Sequence, residues 1–230
     1  MVGTLFNAVT VAAGAGLGLL LGKRLGDGVR DIVFQCLGLF TLALGIQMSL
    51  EMERPFAIFL ALIAGAILGH LLQLDRRIKS GTGRLGKGTG NALVQSVVLF
   101  CAGAMTLIGC MQDGLSGDAT VLFIKGSMDF VSAAFLASAL GRGVLLAAPA
   151  VLIIQGGLTW AFMLWGAAWS EAFIADLTGI GGILLLALGL DLLKIRAFPL
   201  INFVPAFALI GLFQPLADWI QTALPYLLLS

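Results

Sequence analysis

The chain has 230 residues, 60% of them hydrophobic and 11% charged, with a mean hydropathy of +1.06. Soluble domains hold about 45–50% apolar and about 25% charged residues, so a water-soluble fold is excluded. A net charge of +1 gives no field to attract nucleic acid. The cysteines Cys36, Cys101 and Cys110 are odd in number and lie in apolar runs, which provides neither a disulfide framework nor metal-ligand spacing.

Eight hydrophobic segments follow in chain order, each read as a spanning helix. The first, Gly3–Leu21, has no basic region ahead of it and reads as a span, not a cleaved leader. Gly14, Gly18 and Gly22 fall on one face of it, a spacing that allows close helix crossings. The second is Ile32–Leu50. The third, Pro55–Leu74, repeats the small-residue stripe with Ala61, Gly65 and Gly69, and carries the lone His70 near its end as a packing or interfacial residue. Asp75–Gly90 reads as a basic, glycine-rich, mobile linker that touches anionic headgroups or a regulatory partner. The fourth span is Asn91–Met111, with Asn91 and Gln95 on one face; the fifth is Thr120–Leu140, the sixth Val144–Trp165, the seventh Phe173–Leu193 and the eighth Pro199–Phe213. The tail Pro215–Ser230 is short and contains Asp218, so it reads as an interfacial or re-entrant helix, with a ninth span as the alternative.

The basic residues orient this map. With the N-terminus outside, Lys23, Arg24, Arg30, Arg76, Arg77, Lys79, Arg84, Lys87, Arg142, Lys194 and Arg196 all fall inside. Only Arg54 falls outside, and Lys125 lies within a span. This is the positive-inside pattern.

Spans two and seven also match each other. Gly38 to Gln47 aligns with Gly182 to Asp191 at an offset that also carries Pro55 onto Pro199, and Gly16-Leu17 resembles Gly157-Leu158. Apolar helices match by composition alone, so the similarity is either that bias or a repeat. As a repeat it is inverted, an arrangement found in secondary transporters. Residues 1–78 and 143–230 would then flank two central helices over 90–142, within one membrane domain.

The densest polar stretch is Gln112 to Gly141. Lys125 and Asp129 are four apart on the fifth span, so they share a face. At about 1.5 Å per residue, Asp129 lies roughly 14 Å into its helix, near mid-membrane. Each such charge costs about 2.5–3.5 kcal/mol on insertion scales, so the two must pair with each other, with another helix or with water. Gln155 reaches a similar depth on the sixth span, and Ser127 and Ser132 flank Asp129. Gln112, Asp113 and Asp118 precede the helix. They form either a cation-attracting outer mouth or a turn in which Asp118 caps the fifth span. Asp191 is expected to pair with Lys194. The buried charges read either as a substrate or proton site or as an ion pair that only fixes packing.

These motifs, Gln112-Asp113-Gly114-Leu115-Ser116-Gly117-Asp118, Lys125-x-x-x-Asp129, Gln155-Gly156 and Asn202-x-x-Pro205, resemble a bacterial membrane family known as domain of unknown function 554, the YdfK/YqgA-like proteins. The resemblance covers essentially the whole chain. It departs at Phe130, where the family often has glycine. It implies a protein of the bacterial cytoplasmic membrane and supplies no substrate.

The expectation is therefore an all-α polytopic bundle of about eight spans in the lipid bilayer. It would act as a transporter or channel for a small solute or ion, with Asp129, Lys125, Gln155, Ser127, Ser132, Gln112, Asp113 and Asp118 as candidate site residues and with glycine-rich faces suited to a homodimer. No cofactor, metal or nucleic-acid partner is expected. The alternative is a non-transporting scaffold or assembly protein with structural charges. An intramembrane enzyme is not expected, because no HExxH or GxSxG motif is present and no second histidine accompanies His70.

Overall fold

The computed structural model describes residues 1–22, 26–82, 86, 88–165 and 169–228. Among them the regular structure is helical: α1 (Val2–Gly22), α2 (Asp27–Ser49), α3 (Pro55–Leu71), α4 (Leu74–Thr82), α5 (Thr89–Cys101), α6 (Ala104–Leu115), α7 (Thr120–Leu140), α8 (Ala147–Trp165), α9 (Glu171–Leu192) and α10 (Ala206–Leu228). Hydrocarbon offers no partner for backbone N–H and C=O groups, so a lipid-facing segment must satisfy them within itself, and a helix does so. Six spans are long and apolar enough to cross a membrane, and the bent pairs α3–α4 and α5–α6 would bring the number to eight.

Glycine sets the close pairings. On α1, Gly14, Gly18 and Gly22 lie against the carbonyl oxygens of Phe130, Ala134 and Ser138 on α7. Both sets of numbers rise together, so α1 and α7 run parallel. On α2, Gly38 and Gly45 meet Gly189 and Gly182 of α9, a descending register that makes this pair antiparallel. Gly65 and Gly69 of α3 meet Ala206 and Asn202, which makes α3 antiparallel to α10. These directions are compatible with eight successive crossings in which α5 and α6 together make one, and equally with six. A Cβ at Gly14, Gly18, Gly22, Gly45, Gly65 or Gly69 would meet the partner's backbone, and one at Gly38 the Leu193 side chain, so the small-residue stripes are packing surfaces. Arg54, at the start of α3, ties its end of the bundle together. Asp176 of α9 accepts hydrogen bonds from the Glu53 and Arg54 backbone N–H groups, Arg54 Nη1 and Gln214 Nε2 at 2.8–3.2 Å, and Arg54 Nε also reaches Asp218 at 2.6 Å.

The structure corrects four expectations. The fourth segment is not one straight helix: it bends by 60° between Cys101 and Ala104. There Ala102 O packs against Gly181, and Thr106 Oγ1 donates to Phe100 O at 2.9 Å, taking up a carbonyl that the break releases. The tail is not a separate helix, because α10 runs through Pro215 to Leu228. Proline is tolerated inside membrane helices where neighbours relieve the lost hydrogen bond. The linker begins as helix α4, whose charged sequence Leu74–Thr82 buries nothing. Finally, Asp191 does not pair with the Lys194 ammonium, which instead meets Asp31 at 2.9 Å. Lys23, Arg24, Arg84, Lys87 and the last two residues of the tail lie outside the described residues.

Candidate functional site

Lys125 and Asp129 sit one turn apart in the middle of the unbroken helix α7, and Lys125 Nζ donates to Asp129 Oδ2 at 2.5 Å. Both side chains are more than nine-tenths buried. A buried pair of this kind needs further polar company, because desolvating two charges costs more than one contact returns unless the remaining donors and acceptors are satisfied.

That company lies on two sides. On one side is a cavity of about 260 Å³ between α2, α7 and the α5–α6 break. Lys125, Asp129 and Ser132 form one wall. Thr41 and Gln47 of α2, with Glu51 just beyond its end, form another, and the Thr41 hydroxyl is buried without a partner. Gly103, Ala104 and Met105 lie at the break, and apolar side chains including Leu44, Leu99, Met128 and Leu185 make up the rest of the lining. Gly103 is the N-cap of α6 and Ala104 and Met105 open it, with no side-chain cap, so the positive end of this helix dipole lies at the cavity. The volume has room for several waters at about 30 Å³ each.

On the other side Asn7 of α1 stands close enough to interact with Asp129 and donates from Nδ2 to Gln155 Oε1 of α8 at 3.1 Å. Thr4 and Thr159 hydroxyls meet at 3.2 Å one turn further on, and Cys110 Sγ donates to Gln155 O at 3.5 Å. The run ends at Asp113, buried beneath the Met1 amine, which lies 2.6 Å from Oδ2. That contact is an ion pair without hydrogen-bond geometry, so Oδ2 has no hydrogen-bond partner. Polar side chains therefore continue from the ion pair to the Met1 end of the bundle.

Of the residues singled out in the sequence, Lys125, Asp129 and Ser132 share the cavity wall, and Gln155 is reached through Asn7. Ser127 is turned away: it is exposed and donates to Phe123 O at 3.0 Å. Gln112 and Asp113 belong to α6, not to a loop. Asp118 is exposed and accepts the Thr120 N–H at 2.9 Å, but the N-cap position of α7 is Ala119, which has no side-chain cap, so Asp118 closes the turn one residue before it and is not the cap itself. Asn7, Thr4, Thr159, Thr41 and Glu51 were not singled out. Asn7 and Thr4 had a signal in hindsight, being polar side chains on the helix face that also carries Gly14 and Gly18. Nothing in the sequence points to their partners on α8. Among the described residues no cluster of three or more His, Cys, Asp or Glu side chains is arranged to hold a metal ion.

A family model described as Protein of unknown function (DUF554) matches residues 2–214. The uncharacterized protein YqgA of Escherichia coli (strain K12) is 32% identical over 221 residues, covering 91% of this chain and 94% of that one. The uncharacterized membrane protein YdfK of Bacillus subtilis (strain 168) is 31% identical over 211 residues, covering 90% and 92%. No solved structure matches the chain. With this coverage, and with apolar helices of spanning length throughout, the chain belongs to the DUF554 family of membrane proteins.

Proposed function

We propose that the protein moves a small solute or ion across the bacterial cytoplasmic membrane, with Asp129 as the central ligand or proton carrier. The observation that carries this reading is that Lys125, Asp129 and the unwound α5–α6 break line one cavity. Transporters commonly place substrate against half-helix ends at the membrane midplane. A pair that served only as glue needs neither a cavity nor an uncapped helix start beside it. Lys125 then acts as a tethered cation: an arriving cation or proton competes with it for the Asp129 carboxylate, and Lys125 reclaims the site on release.

The N-terminus lies outside in this reading, which gathers the exposed acids Glu51, Glu53, Asp118, Glu171 and Asp218 at the outer end against Arg54. Such a surface concentrates cations. An inverted repeat relating α2–α3 to α9–α10 is supported by contacts that recur on exchange of the halves. Gly38 meets Gly189 as Gly182 meets Gly45. Arg54 with Asp176 and Lys194 with Asp31 close opposite ends of the α2–α9 pair.

Proteoliposomes carrying a pH-sensitive dye, assayed in parallel for radiolabelled sodium and rubidium uptake, test the proposal. Wild type is expected to carry flux in at least one assay, and Asp129→Asn to abolish it. Undiminished flux in the variant would remove Asp129 from the mechanism. Loss of thermal stability without any flux in wild type would favour the scaffold reading.

A further inference from the structure

A second cavity of about 260 Å³ lies at the opposite end of the bundle from Met1, between α4, α5, the end of α9 and the segment 197–200. Asp191 and Gln95 lie on its wall, and Gln95 Nε2 donates to Asp191 Oδ2 at 2.8 Å. That bond fixes the amide, since the reverse orientation would set its oxygen against the carboxylate. The Gln95 Oε1 atom is left buried with no partner. Among the described residues, charge in the cavity is also unbalanced. Lys79 is held by Asp75 at 2.7 Å, and Lys194, the nearest cation in sequence to Asp191, is held by Asp31. Asp191 itself stands in the last turn of α9, where the negative end of the helix dipole adds to its charge.

We infer that Asp191 and Gln95 form a binding site for an alkali-metal cation. The donors are all oxygen, which suits a hard cation. One uncompensated carboxylate balances a single positive charge, whereas Ca²⁺ takes six to eight oxygens with several carboxylates among them. The cavity has space for the ion together with waters that complete its shell. The stripe Asn91, Gln95, Leu99 and Gly103, four residues apart on α5 and its end, enters this cavity with its first two members and the Lys125–Asp129 cavity with its last two. The cation site is thus placed in line with the mid-membrane site, although its binding of the ion does not depend on transport.

The test is thermal unfolding of the full chain in nanodiscs, titrated with NaCl, KCl or N-methyl-D-glucamine chloride at constant ionic strength. Wild type and Asp129→Asn are expected to gain stability with sodium or potassium over the organic cation. Asp191→Asn is expected to lose that gain, and Gln95→Leu to need at least tenfold more salt for it. Identical wild-type curves in all three salts would overturn the inference, as would a gain that survives in Asp191→Asn or disappears only in Asp129→Asn. Because the readout is ion binding, its failure leaves the flux result for Asp129 unaffected, and the reverse also holds.

Discussion

Gly45 and Gly182 face each other across the α2–α9 crossing so closely that a Cβ on either would fall 2.9 Å from the other's carbonyl oxygen. Backbones this near exchange dispersion and Cα–H···O contacts that a larger side chain would abolish. Gly45→Ala or Gly182→Ala should therefore destabilise the protein by about 1–3 kcal/mol, the usual cost of overpacking a filled interior. Gly157 has open space where its Cβ would be. Gly157→Ala should be neutral or stabilise by up to about 1 kcal/mol through helix propensity. Thermal unfolding in detergent distinguishes the two kinds of site.

Asp176 is a second structural anchor. Its carboxylate is fully buried and accepts from two backbone N–H groups, a guanidinium and an amide. Removing it leaves two backbone N–H groups, the Gln214 amide and one arm of the Arg54 guanidinium without an acceptor, while Asp218 still holds the other arm. Asp176→Ala should cost about 3–5 kcal/mol, the range for breaking one side of a buried pair. Asp218 is half exposed, so Asp218→Ala should cost about 1 kcal/mol or less, as exposed pairs do. Denaturation of both variants in the same detergent checks the ratio.

The folded part of this picture was legible where the signal is local. Stripes such as Gly14, Gly18 and Gly22 repeat every four residues, and Lys125 and Asp129 are one turn apart, so a helix brings them together whatever surrounds it. The α5–α6 break was not legible. Cys101-Ala102-Gly103-Ala104 contains no proline and is as apolar as its neighbours. The bend is settled by Gly181 on α9, which admits Ala102 O, and by the Thr106 hydroxyl. Asn7 and Gln155 are separated by 148 positions, and a lone polar residue in an apolar helix does not announce its partner. Nor could spacing show that Lys194 would turn to Asp31 and leave Asp191 to Gln95.

The Asn7–Gln155 pair makes its own prediction. Asn7→Leu leaves the Gln155 amide buried with no side-chain partner, which should cost about 1–3 kcal/mol. Asn7→Leu together with Gln155→Leu should recover much of that loss, because the unsatisfied group is then gone. If the polar run from Asp113 to Asp129 gives access to the ion pair, the double variant will be well folded and slow in flux. Unfolding and proteoliposome uptake measured on the same preparations separate stability from access.

Asp118 supplies a pH dependence with a definite sign. Hydrogen bonds from Thr120, through its side chain first and then its backbone N–H, hold the Asp118 carboxyl below the ordinary carboxylate value. A group whose folded value is depressed contributes stability that is complete above the unfolded value of about 3.9 and lost as pH falls through the folded one. The stability of wild type should therefore decline below about pH 4 more steeply than that of Asp118→Asn, which keeps an accepting oxygen for the Thr120 N–H but does not titrate. Acid titrations followed by circular dichroism compare the two slopes. Asp118 is fully exposed, so the difference should be small.

The ion pair itself allows the sharpest separation of structure from function. Lys125→Met leaves a buried carboxylate without its partner, and Asp129→Leu leaves a buried ammonium. Each single change should cost about 3–5 kcal/mol, because an uncompensated buried charge remains. The double variant Lys125→Met with Asp129→Leu removes both charges and places apolar side chains of similar length beside Met128 and Leu99 on the cavity wall. Buried pairs exchanged for apolar residues are often neutral or stabilised by about 1–4 kcal/mol, so this protein should unfold at or above the wild-type temperature. A pair retained only for packing would then be dispensable, and flux, if present, would survive. A pair that handles the transported species predicts the opposite: a stable, correctly inserted protein with no uptake of any cation that the wild type carries.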